Sequence, residues 1–257
     1  MVNIETIVLY DIIGSLSPKN GSKVNLFYKL SGIGAKGRIV GGSATTIDKF
    51  PWIVSVQYYG HHQCGGSILT SNRILSAVQC TETTAKYSVR GGSSFSQSGG
   101  QLVDVIRIVH HSGYNPKTHE NDISILWTNK FDMLAHGLSV IRYPNQNECV
   151  PIGAVGQATG WGVTRSGDRT LHYISVPIVS DEKCNSTYSG GIYAGMLCAG
   201  SRGKDACLGD AGGPFVINKS VVGIISWGEG CALLPGVYTR VSYYSNWIAT
   251  AMLSGTG

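Results

Sequence analysis

Charge is what this sequence has least of: Asp, Glu, Lys and Arg together make up 14% of its 257 residues. Set beside 42% hydrophobic residues, that scarcity excludes a self-repelling disordered chain and indicates a globular one. The formal net charge is only +5 and the lysines and arginines are scattered. The basic stripe of a nucleic-acid binder is therefore missing, and no nucleic-acid partner is expected. Long hydrophobic runs are missing too. The best stretch, Ile7 to Leu9 with Ile12 and Ile13, is interrupted by Glu5 and Asp11. It is too short and too charged to span a membrane, and it has no basic residue ahead of it, which makes it a poor secretory signal. No internal repeat or low-complexity tract is visible. Nothing suggests a metal site, and no cofactor is expected.

What the chain does have is glycine, 35 residues of it, as expected for short strands joined by many turns. Trp52 to Tyr58, Ser67 to Leu69, Arg73 to Val78, Gln101 to Val109 and Val221 to Trp227 have strand character, with a turn at Ser71 and Asn72. Val241 to Leu253 is the best helix candidate, with Trp247, Ile248 and Met252 on one face. The length suits a single large β-rich domain. Seven cysteines point to an oxidising compartment; spacing alone does not fix how they pair. Sequons at Asn20, Asn185 and Asn218 add weak support for secretion.

The chemistry concentrates in a glycine-rich loop, Lys204-Asp205-Ala206-Cys207-Leu208-Gly209-Asp210-Ala211-Gly212-Gly213-Pro214. Four further segments stand in order around it: Cys64-Gly65-Gly66-Ser67-Ile68-Leu69, Ser76-Ala77-Val78-Gln79-Cys80, Asn121-Asp122-Ile123-Ser124-Ile125-Leu126 and Gly160-Trp161-Gly162. Ser226-Trp227-Gly228 and Pro235-Gly236-Val237-Tyr238-Thr239 follow. Near the start, Lys36-Gly37-Arg38 precedes Ile39-Val40-Gly41-Gly42. From residue 39 to about 253 the order and spacing of these motifs resemble the chymotrypsin/trypsin-like serine proteases. Among these the chain is most similar to mite group 3 allergen-like trypsins and the scabies mite inactivated serine protease paralogues.

The resemblance implies an all-β fold, two packed six-stranded antiparallel β-barrels with a C-terminal helix. It divides the chain into a degraded leader and propeptide, residues 1–38, and a protease-like domain, residues 39–257. It pairs Cys64 with Cys80, Cys184 with Cys198 and Cys207 with Cys231. Cys149 is left over, as a free thiol or a point of intermolecular linkage. Cleavage after Arg38 would free an ammonium on Ile39, for which Asp210 is the family's buried partner. Asp205, Ser226, Gly228 and Gly236 fall where the family builds a pocket for a lysine or arginine side chain. The N–H groups of Gly209 and Ala211 fall at the oxyanion hole.

Two positions break the pattern. Gln79 stands where the family has its histidine and Ala211 where it has its serine; only Asp122 of the triad is retained. A carboxamide is not a base near neutral pH, and a methyl group cannot attack a carbonyl. The remaining histidines, His62 and His110 among them, sit in ordinary structural contexts and are not expected to replace the base. The sequence therefore reads as an inactive trypsin-like protein that acts by binding. The resemblance implies host defence or complement proteins as partners, and an extracellular monomer. The retained pocket residues imply a cleft that still holds basic segments. Leu208, Leu233 and Leu234 imply the alternative, a crowded entrance. The competing functional reading is a hydrolase with residual or unusual catalysis.

Overall fold

A computed structural model describes residues 42–83, 85–162, 170–200, 210–229 and 233–254. Thirteen strands are present among them. The first half of the chain supplies β2 (Ile53–Tyr58), β3 (His61–Thr70), β4 (Arg73–Ser76), β5 (Tyr87–Gly91), β6 (Gln101–His110) and β7 (Ser124–Thr128). These close into an antiparallel barrel in the order β2-β3-β4-β7-β6-β5. The second half supplies β8 (Val155–Gly160), β9 (His172–Val179), β10 (Met196–Ala199), β11 (Pro214–Ile217), β12 (Ser220–Trp227) and β13 (Gly236–Arg240). They run in the order β9-β10-β13-β12-β11-β8, and the β8–β9 pairing closes the ring. The short β1 (Ser43–Ala44) adds to the start of β9. The expected pair of six-stranded barrels is what forms.

Closure removes free edges, and strands that are covered on both sides can then be apolar throughout. Strand β7 is buried at all five positions, whereas β5 alternates, with Tyr87, Val89 and Gly91 turned inward. The first barrel fills with Val54, Val56, Ile68, Ile74, Leu75 and Ile125, and the second with Ile174, Val176, Leu197, Phe215 and Tyr238. Each such aliphatic or phenyl side chain contributes about 1.5–3 kcal/mol by leaving water. Cys64–Cys80 and Cys184–Cys198 are bridged, with Cα atoms 5.9 and 6.3 Å apart. Cys149 is free and exposed. The expected Cys207–Cys231 bridge lies outside the described residues.

Two expected elements are shorter than their patterns suggested. The strand read through Val78 stops at Ser76, and Val78–Cys80 is a 3-10 turn. The ladder ends at the Ser76–Ser124 pair, and Ser124 Oγ donates to Ala77 O at 3.0 Å, replacing a strand partner with a side chain. The terminal helix begins at Ser245 rather than Val241. Residues Val241–Tyr244 form a 3-10 turn before α2 (Ser245–Leu253). Ser245 Oγ donates to Pro144 O at 2.8 Å, anchoring the helix start to a distant loop. The face of α2 turned to the core is Ser245, Ile248 and Ala251, while Trp247 and Met252 flank it half-buried. A further helix, α1 (Asp181–Thr187), is capped by Ser180 Oγ, which accepts from Lys183 N, and carries Asp181 and Glu182 in its first turn.

Candidate functional site

The 3-10 turn after β4 and the segment entering β7 bring Gln79 against Asp122. Asp122 is fully buried. Its Oδ1 accepts the Gln79 main-chain N–H at 3.1 Å and its Oδ2 accepts Gln79 Nε2 at 2.6 Å. Ser226 Oγ donates to the same Oδ2 at 2.6 Å, and Gln79 Nε2 also donates to Ser226 O at 2.8 Å. Thr239 Oγ1 donates to Asp122 O at 2.7 Å, which pins the loop to β13. The carboxylate is thus held by three neutral donors, and no cation lies at ion-pair distance among the described residues. In the sequence Gln79 and Asp122 stand at two positions of the same triad, and here they meet. The part of Ser226 was not legible there: expected as pocket wall, it turns its side chain to Asp122 from 104 residues away.

Ala211 is placed by a turn that fits only glycines. Gly212 has φ +77°, and a Cβ there would strike Ser76 Oγ and Gly65 O and come within 3.0 Å of Cys80 Sγ. Gly65 N donates to Ala211 O, Gly212 N to Ile225 O and Gly213 N to Asp210 O, at 2.8, 2.8 and 2.9 Å. The turn therefore sits on the strand end that leads to Gln79. Ala211 itself is half-buried against the first barrel's core. Its methyl group is chemically inert, and the Gln79 carboxamide carries no basic lone pair at neutral pH. Asp210 is fully buried; Gly162 N donates to its Oδ1 at 2.8 Å, and glycines at 160 and 162 leave room for its carboxylate. Arg38, Ile39, Asp205 and Gly209 lie outside the described residues.

The segment beyond Ser226 packs against rings from elsewhere in the chain. Trp227 stacks on His119, with centroids 6.3 Å apart and planes at 26°, and meets Tyr188 edge-on at 4.9 Å. Neither partner stood out in the sequence, because both approach through loops distant in the chain. Gly228 is exposed, and Gly236 is buried opposite Ala199. Of the leucines expected at the entrance, Leu233 is 75% exposed and Leu234 is half-buried, while Leu208 lies outside the described residues. His62 and His110 have structural partners: Ser55 Oγ lies 2.8 Å from His62 Nδ1, and Thr81 Oγ1 lies 2.9 Å from His110 Nε2. Desolvation pushes the His110 pKa below its ordinary value, against the pull of Glu82 and Asp122. No group of three or more His, Cys, Asp and Glu side chains suited to a metal occurs among the described residues.

The family description that matches residues 39–248 is Trypsin. Trypsin delta of Drosophila erecta is 42% identical over 223 residues, covering 82% of this chain and 87% of that protein. Trypsin alpha-4 of Lucilia cuprina is 41% identical over 228 residues, covering 85% and 89%. Trypsin alpha of Drosophila melanogaster is 41% identical over 225 residues, covering 83% and 87%. With two closed barrels, the paired Asp122 and the glycine turn at Ala211 already in place, these matches mean that the chain belongs to the trypsin family.

Proposed function

We propose that the protein is a non-catalytic member of the trypsin family that works by binding another protein. The observation that carries this reading is the hydrogen-bonded pair of Gln79 and Asp122 beside Ala211. Peptide hydrolysis of the family's kind needs a hydroxyl to attack and a base to take its proton and deliver it to the leaving amine. Here an amide fills the base's place and a methyl group the hydroxyl's. Removal of both functions costs about six orders of magnitude in kcat in a serine protease, leaving only what binding and the oxyanion donors supply. The scaffold around the site is meanwhile intact in the described residues: two disulfides, a buried Asp210 and a correctly turned glycine loop. Such a scaffold supports recognition without cleavage.

The partner class implied by the resemblance, host defence or complement proteins, belongs to this reading as its first candidate. So does an extracellular setting, which the Cys64–Cys80 and Cys184–Cys198 bridges support. The test is hydrolysis of lysine and arginine peptide substrates by the purified protein cleaved after Arg38, with Asp122→Asn alongside. Neither protein is expected to turn over substrate. Turnover that copurifies with the chain would contradict the reading, and turnover unaffected by Asp122→Asn would assign it to a different nucleophile.

A further inference from the structure

We propose that the cleft beside Gln79 binds a lysine or arginine side chain from an extended segment of the partner protein. Gln79 Oε1 and the Glu82 carboxylate are the acceptors, with Tyr58 and Tyr87 as walls. The inference rests on the binding role proposed above and assigns the chemistry of one part of its surface.

The cleft has a volume of about 350 Å³ and is lined by Tyr58, Gln63, Gln79, Glu82, Thr83 and Tyr87. No lysine or arginine lines it among the described residues. The Gln79 amide has only one chemically sensible orientation. Its reverse would set Oε1 against Asp122 Oδ2 and Ser226 O, acceptor against acceptor, where Nε2 now donates at 2.6 and 2.8 Å. Both N–H bonds of Nε2 are thereby committed, and what the side chain offers the cleft is Oε1, an acceptor. A histidine in this place changes between donor and acceptor as it titrates; the amide is permanently an acceptor.

The charge balance points the same way. Asp122 is a buried carboxylate with neutral donors only, and the amide dipole lies with its positive end on Asp122 and its negative end toward the cleft. The exposed carboxylate of Glu82 stands on the rim of the same space. The hydroxyl of Tyr114 has its pKa raised by burial, by the charge of Asp122, and by a hydrogen bond with Glu82 and its charge, which places it beside the same two carboxylates. His110, which both Glu82 and Asp122 influence, is held toward its neutral form by desolvation. The Tyr58 and Tyr87 rings lie 5.7 Å apart at 52°, and Thr83 Oγ1 lies 2.6 Å from Tyr87 Oη, which fixes that ring. Aromatic faces beside carbonyl and carboxylate oxygens suit an ammonium or guanidinium group.

The probe is a fluorescein-labelled hexapeptide of alternating arginine and glycine, compared with its citrulline counterpart, which keeps the shape and removes the charge. Binding to the full chain is followed by fluorescence anisotropy at low ionic strength, with saturating benzamidine to occupy any basic-residue pocket built around Asp205. The arginine peptide is expected to bind more tightly than the citrulline peptide. Glu82→Gln, a change on the surface, is expected to weaken the arginine peptide roughly fivefold, leave the citrulline peptide unchanged, and lose its effect in about 0.5 M salt. Equal affinities for the two peptides, no binding of the arginine peptide, or indifference to Glu82→Gln would overturn the proposal. Mass spectrometry of the same peptide incubated with the protein in a parallel sample without benzamidine separates the two levels of the account. A cut peptide contradicts the non-catalytic reading, whereas an intact peptide with no Glu82 dependence sinks this inference alone.

Discussion

On the non-catalytic reading proposed here, Gln79 keeps the hydrogen-bonding frame of the site without supplying a base. Its Nε2 supplies the donor that a buried carboxylate at Asp122 requires, so the fold loses nothing by the absence of an imidazole there. Gln79→Ala withdraws that donor while keeping the main-chain bond to Oδ1. It is expected to cost about 1–3 kcal/mol, read as a lower denaturant midpoint with an unchanged slope. Gly160 makes the complementary case at Asp210. A Cβ on Gly160 would overlap the Asp210 carboxylate, so Gly160→Ala is expected to destabilise by about 3 kcal/mol. Gly153 has φ +79° but open space around it, and Gly153→Ala should cost only about 1 kcal/mol of backbone strain. Equal losses at the two glycines would mean that the Asp210 carboxylate is not held as described.

At the scale of elements, the terminal helix and the loop into β7 meet through histidine and tyrosine rings. His111 packs 5.4 Å from Tyr244 and 5.3 Å from Trp247, and its Nδ1 accepts Gly113 N–H at 3.2 Å, which suits a neutral ring. Desolvation lowers the pKa of His111, as it does that of His110. The unfolded chain therefore takes up these protons first as pH falls. Their contribution to stability is complete above about pH 6.5 and is lost as the pH drops through the unfolded value toward the lowered folded ones. Thermal midpoints measured from pH 8 to 5 should decline below about pH 6.5, and less steeply in His111→Gln. An identical slope in the variant would contradict the neutral, packed ring. The helix also shows the limit of periodicity. Trp247, Ile248 and Met252 were readable as one face, but the buried Tyr244 and the start at Ser245 depend on Asn121 and Pro144, more than 100 residues away in the chain.

For the whole molecule, the two barrels were legible because motifs on both carry recognisable chemistry: Cys64, Gln79 and Asp122 on the first, Gly160, Asp210 and Gly236 on the second. Disulfide partners followed from the same resemblance for Cys64–Cys80 and Cys184–Cys198. The amide orientation of Gln79, the turn of Ser226 toward Asp122 and the Tyr58–Tyr87 cleft were not legible. Each depends on strands far apart in sequence meeting at one point, and a propensity or a spacing carries no such information. The same geometry defines the central experiment. If only the two reactive groups are missing, restoring both should restore chemistry on an otherwise complete frame. The measurement is cleavage of a lysine or arginine peptide by Arg38-cleaved Gln79→His/Ala211→Ser protein, side by side with the wild type. The account predicts turnover by the double variant and none by the wild type. Turnover by the wild type, surviving purification to constant specific activity, would contradict it.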